Sequence, residues 1–166
     1  MENILVIVRG NSASGKTFLS NKIQKHYGYD KCLLLHQDVI RRDILHANDH
    51  QNTPAIKLID NLIDYGLSNY PITIVEGILR RDVYGDMLNK IVKRQLPNSL
   101  VYYLDIPFET TVKYDKTKPE PFGVETLKSW WRSNDYLGVN DRLLKNGETL
   151  TFLTRIISDI KEHIEL

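Results

Sequence analysis

A five-residue apolar run, Ile4-Leu5-Val6-Ile7-Val8, leads within two residues into Gly10-Asn11-Ser12-Ala13-Ser14-Gly15-Lys16-Thr17, and helical spacing begins directly behind it. An uninterrupted, β-branched run is the pattern of a strand buried on both faces. The segment that follows matches G-x-x-x-x-G-K-[ST] at every fixed position. Phe18, Leu19, Lys22, Ile23 and His26 then recur at helix spacing. Strand, glycine-bounded loop and helix in this order make a phosphate cradle. Small residues at 12 to 14 let the backbone wrap an anion, and the loop amides and helix N-terminus face it. Gly10, Asn11, Ser12, Ala13, Ser14, Gly15, Lys16, Thr17 and Phe18 are therefore the candidate nucleotide-contacting residues. Lys16 is placed to reach the β- and γ-phosphates of ATP, and the Thr17 hydroxyl to ligate Mg²⁺.

The rest of the chain repeats the alternation. Leu33-Leu34-Leu35, Ile72-Thr73-Ile74-Val75 and Leu100-Val101-Tyr102-Tyr103-Leu104 read as further strands, with a short fifth near Arg142-Leu143-Leu144. Helical patterns run from Pro54 to about Asn69, Tyr84 to Arg94, Pro107 to about Tyr114 with Asp105 as cap, Val124 to Asp135, and Leu150 to Ile164. The stretch between Asp38 and Asn69 has room for two helices. Strand then helix, repeated, predicts an α/β fold: a parallel sheet with helices on both faces. At 166 residues the chain is expected to form one domain. Basic residues number 22 and acidic ones 21, which leaves no charge excess to support a nucleic-acid footprint over the whole surface. One cysteine allows neither an internal disulfide nor a thiolate zinc site. Without a membrane-length apolar run, and without a positive flank at Met1-Glu2-Asn3, a cytoplasmic protein is expected.

In a parallel sheet, ligands gather at the carboxyl ends of the strands. Asp38 stands just beyond the second run, where it is positioned to accept the proton of an attacking hydroxyl; the same place suits a helix cap. Arg41 and Arg42, one turn on, are candidates for clamping a substrate phosphate or carboxylate, with a solvated helix face as the plain alternative. Glu76 closes the third run in Ile74-Val75-Glu76-Gly77, the pattern of a Walker B strand. Its carboxylate suits Mg²⁺ or the acceptor, and Gly77 lets the backbone approach a ligand. From Lys113 to about Asp135 the chain reads as a lid: lysines at 113, 116 and 118, turns at Pro119, Pro121 and Gly123, and five basic residues against four acidic ones from Glu109 to Arg132. Lys116 and Arg132 are the candidates for stabilising charge during transfer. Trp130 and Trp131 suit either core packing or stacking. His46 and His50 read as surface residues, and Asn140 to Arg142 and Asn146 to Glu148 as turns or an adenine edge.

These residues carry a resemblance. The chain resembles small P-loop kinases of the group containing zeta-type toxins, chloramphenicol phosphotransferase and uridine-kinase-like, AAA-type ATP-binding proteins. The likeness rests on Gly10 to Thr17, Gln37-Asp38-x-x-Arg41-Arg42-Asp43, Val75-Glu76-Gly77, Tyr103 to Glu109, and Trp130-Trp131 followed by Asp135-Tyr136-Leu137-Gly138. It implies a three-layer, five-stranded parallel sheet in the order 2-3-1-4-5 with a mobile lid, and it implies that Asp38 acts as base toward a substrate hydroxyl. The expectation is an ATP- and Mg²⁺-dependent phosphotransferase acting on a small molecule, a nucleoside or related metabolite preferred, with no nucleic acid or membrane partner. The alternatives are a zeta-like toxin phosphorylating a nucleotide sugar, and an NTPase switch working through a protein partner.

Overall fold

Alternation within the first strand decides the layering. In β1 (Ile4–Gly10) every residue is buried. Successive side chains of a strand leave on opposite faces. Ile4, Val6 and Val8 enter one core with Leu19, Ile23, Phe152, Ile156 and Ile160, whereas Leu5 and Ile7 enter a second with Ile59, Ile63, Tyr84 and Leu88. The computed structural model describes residues 3–138 and 140–164. Its other strands are β2 (Cys32–His36), β3 (Ile72–Gly77), β4 (Ser99–Leu104) and β5 (Arg142–Leu144). They form one parallel sheet in the order β2-β3-β1-β4-β5, the order the resemblance implies.

Helices α1 (Lys16–Tyr27) and α6 (Thr149–Lys161) cover the first face; α2 (Pro54–Asn69) and α3 (Arg81–Gln95) cover the second. Phe152, Ile156 and Ile160 stand four apart on α6, so one stripe is buried, at about 1.5–3 kcal/mol per side chain. Helix α2 starts where its sequence dictates. Thr53 accepts a hydrogen bond from the Ala55 N–H at 3.4 Å, and Pro54 fills the first helical position, where no amide partner is needed. Two further helices, α4 (Phe108–Lys116) and α5 (Val124–Trp130), lie along the carboxyl edge. Among the described residues, no helix is long and apolar enough to cross a membrane.

Several expectations change. The first of the two helices between Asp38 and Asn69 is a π-helical turn, Val39–Ile44, with the Leu45 N–H reaching back to the Ile40 carbonyl. Asp105 does not cap α4; its carboxylate instead accepts from the Tyr136 hydroxyl at 3.2 Å. Helix α5 stops at Trp130 rather than Asp135, and two residues on the Arg132 backbone is held by the loop after β1, as described below.

Candidate active site

Register brings the functional ends together. Val8 lies opposite Glu76 across β1 and β3, and His36 lies opposite the same Glu76 across β2 and β3. The carboxyl ends of these strands therefore surround the loop that leaves β1. That loop turns through positive φ at Ala13 (59°) and Gly15 (95°), and α1 begins at Lys16. A left-handed turn at Gly15 costs a side-chain-free residue little and would strain any other. The Lys16 ammonium donates to the Asn11 carbonyl at 2.7 Å and lies 3.5 Å from Ser14 Oγ. Burial lowers its pKa to about 8, although the Glu76 and Asp38 carboxylates pull the other way. A buried ammonium whose pKa is lowered carries charge that its protein surroundings only partly compensate.

The Thr17 hydroxyl donates to Glu76 Oε1 at 3.1 Å, which brings the two candidate magnesium ligands together. An alcohol oxygen beside a buried carboxylate is the hard-oxygen pair that suits Mg²⁺. His36 was missed by the sequence reading, which ended β2 at Leu35. Its Nδ1 lies 2.7 Å from the same Glu76 oxygen, which orients the carboxylate from the other side. The signal was available in principle, since His36 stands two residues before Asp38 at a strand end. At Gly77 the close approach is to protein: a Cβ there would come 2.7 Å from the Gln37 side chain.

Two clefts flank the phosphate loop. The first, about 380 Å³, is lined by Ala13, Gly15, Lys16, Thr17 and Phe18 together with Tyr114, Thr117, Lys118 and Thr149. The second, about 410 Å³, lies across Ser12 and is lined by Asp38, Arg41, Arg42, Asp49 and Arg80 from one side and Trp130, Trp131 and Arg132 from the other. Asp38 makes no cap hydrogen bond and its carboxylate is 56% exposed, 3.5 Å from Arg41 and 3.9 Å from Arg42. Its helix-cap alternative is thereby removed. Arg80 is fixed by hydrogen bonds to Asp82 and to the Asp49 carbonyl. The tryptophans are not core: Trp130 is 40% exposed, against Phe122, and Trp131 packs edge-on against Phe108.

The expected lid is built around a buried acid. Asp115 accepts from the amides of Phe122 and Gly123 at 3.1 and 3.0 Å, which closes the turn between α4 and α5. Lys116 is exposed and lines neither cleft; the lysine from this segment that does is Lys118. At the other end, Asn11 clamps Arg132: its side-chain amide donates to the Arg132 carbonyl at 2.8 Å, and its oxygen accepts the Arg132 amide at 2.9 Å. The Arg132 guanidinium reaches Asp82 at 3.2 Å. Fully buried Arg9, also passed over, holds the next turn through Asp135 and the Leu79 carbonyl. Asn140 to Arg142 do not frame these clefts: Asp141 accepts the amides of Leu137 and Gly138, and Arg142 pairs with Asp159 at 2.8 Å. Asn146 and Gly147 line a small pocket with Asp105, Ile106 and Pro107 instead.

No protein-family model and no curated protein sequence matches this chain. Solved structures do match. The APS kinase of Mycobacterium tuberculosis, in complex with AMPPNP and APS, superposes with a TM-score of 0.69 at 13% identity, over 97% of this chain and 98% of that one. This chain has the fold of P-loop kinases. A gluconokinase from Sinorhizobium meliloti gives a TM-score of 0.63 at 12% identity over 99% of each chain. The shikimate kinase of Acinetobacter baumannii, in complex with shikimate, gives 0.61 at 14% identity over 96% and 94%. At such identity the likeness is one of fold, and the chemistry rests on the residues themselves.

Proposed function

We propose that the protein is an ATP- and Mg²⁺-dependent phosphotransferase that moves the γ-phosphoryl group to a hydroxyl of a small molecule, a nucleoside or related metabolite in preference. The observation that carries this is the pair of clefts on either side of one phosphate loop, the first holding Lys16 and Thr17 and the second Asp38. A nucleotide switch needs only the first. A group transfer needs two sites sharing the reacting phosphate, and Ser12 and Ala13, adjacent in the loop, line one cleft each.

In this reading Lys16 and the loop amides bind the phosphates, and an arriving anion relieves the buried ammonium of its missing counter-charge. Thr17 and Glu76, oriented by His36, would hold Mg²⁺, which when bound neutralises phosphate charge. Asp38 orients the acceptor hydroxyl and takes its proton as the oxygen bonds to the γ-phosphorus and the bond to the bridging oxygen of ADP breaks. Arg132, its backbone fixed by Asn11, brings a guanidinium to the second cleft to balance charge on the transferring group. Lys118 replaces Lys116 as the lid cation beside the nucleotide. The lid excludes water that would otherwise hydrolyse ATP.

The deciding test is ADP release from Mg-ATP across a panel of nucleosides, nucleotide sugars, sugars and hydroxylated antibiotics. An acceptor that raises release in the wild type and not in Asp38→Ala establishes the reaction. Release that responds only to a protein partner would establish the switch in its place.

A further inference from the structure

The second cleft has a composition that the transfer reaction alone does not require. It is lined by four of the chain's nine arginines and none of its thirteen lysines. A merely solvated face would draw on both. Arginine offers a planar fork that matches an oxyanion in two-point fashion, which an ammonium cannot do. The arginines are also not needed for the nucleotide's phosphates, which face Lys16 and the loop amides from the other cleft.

Their pairing separates them by role. Arg80 is committed to Asp82, with contacts at 2.7 and 3.1 Å, and Arg132 shares that carboxylate at 3.2 Å. Arg42 is held loosely, and Arg41 keeps donor capacity to spare. Arg42 approaches Asp38 no closer than 3.9 Å and makes no hydrogen bond among the described residues. Arg41 spends one nitrogen on the Ala47 carbonyl and stands 3.5 Å from Asp38, while its buried Nε, like that of Arg132, has no hydrogen-bond partner, with Asp49 3.7 Å away. A buried guanidinium N–H left without a partner costs free energy until a ligand supplies one.

The opposite wall is aromatic. The chain has two tryptophans, and both line this cleft. Each is braced by a ring, Trp130 by Phe122 at 5.2 Å and Trp131 by Phe108 at 5.3 Å between centroids. Braced, partly exposed indoles facing a polar cavity are stacking platforms rather than core.

We infer that the acceptor of this cleft carries a fixed oxyanion, a phosphate, sulfate or carboxylate, bound by Arg41 and Arg42, and a flat ring laid against Trp130 and Trp131. This deepens the phosphotransferase reading, and rests on it only for the hydroxyl presented to Asp38.

Because both tryptophans line the cleft, intrinsic fluorescence of the full chain reads its occupancy without any turnover. The probes are matched pairs differing in charge, uridine with uridine monophosphate and 4-hydroxybenzamide with 4-hydroxybenzoate, plus orthophosphate alone. The expected result is that at least one anionic member binds about tenfold or more tightly than its neutral partner. That preference should be lost in Arg42→Ala, partly restored in Arg42→Lys, and kept in Lys16→Met. Arg42 is half-exposed and only loosely paired, so its removal leaves the fold intact, as circular dichroism will check. Which pair shows the preference tells phosphate from carboxylate. Equal binding within both pairs, no quenching by any anion, or a preference unchanged in Arg42→Ala would each overturn the inference. A preserved anion preference with no ADP release from any acceptor would sink the phosphotransferase reading and leave this one standing.

Discussion

Replacing Lys16 by methionine separates the cost of the buried cation from its use. The residue is only 8% exposed, and burial pulls its pKa from 10.5 to about 8. At about 1.4 kcal/mol for each pH unit, the charged form is about 3 kcal/mol worse off in the fold than in the unfolded chain. Methionine fills similar space without charge and forfeits the hydrogen bond to the Asn11 carbonyl, worth about 1 kcal/mol. Without nucleotide, Lys16→Met should therefore be about 2 kcal/mol more stable than the wild type near neutral pH. The pH dependence has a definite sign. The folded pKa lies below the unfolded one, so between about pH 8 and 10.5 the unfolded chain binds more protons, and wild-type stability rises through that window. The variant lacks this rise, and its advantage should shrink as pH increases. Urea denaturation at about pH 7 and about pH 9.5 measures both quantities. With Mg-ATP added, only the wild type should gain ligand-linked stability. A variant that is less stable at neutral pH, or whose advantage does not narrow at high pH, would refute the account of Lys16 as an under-compensated buried charge.

Three other perturbations probe the surrounding parts. Asp38→Asn should leave the fold and ATP-linked stabilisation unchanged, because the side chain is mostly exposed, while lowering acceptor-dependent ADP release by about 10² or more; single-turnover assays measure it. His36→Ala removes the second support of Glu76, so the Mg²⁺ concentration for half-maximal activity should rise about tenfold with kcat at saturating Mg²⁺ largely kept; an equal fall in kcat would argue against a positioning role. Asn11→Ala cuts both hydrogen bonds to the Arg132 backbone and should cost about 1–2 kcal/mol of stability by denaturant midpoint. In the same variant, protease cleavage between Gly123 and Asp135 should become faster, because the end of α5 loses its anchor.

Much of this organisation was legible in the chain. Ile4 to Val8 and Ile72 to Val75 are local apolar patterns that make strands in nearly any context, and a glycine-bounded loop ending in Lys16-Thr17 has one structural use. Glu76 and Asp38 were legible as strand-end acids because the apolar runs of β3 and β2 stop just before them. Local pattern also marked Lys16 and Thr17 without any neighbour being known. Where the reading went astray, the deciding partner was distant in sequence. Helix α5 ends at Trp130, and Asn11, 121 residues away, holds the Arg132 backbone two residues on. Lys118 rather than Lys116 lines the cleft beside the loop, since only the packing of this segment decides which lysine faces it. Two adjacent indoles that suited either core or stacking line a cleft once α5 buries Leu127. His36 joined Glu76 through strand register, and Arg9 was anchored by Leu79 and Asp135, some 70 and 126 residues on. The sequence by itself determined most of the elements, the glycine-bounded loop and which side chains stand at the strand ends, because those follow from periodicity and short-range backbone geometry. Only the tertiary structure decided which charges share a cleft, since that depends on hydrogen bonds and packing between segments with no sequence relation to one another.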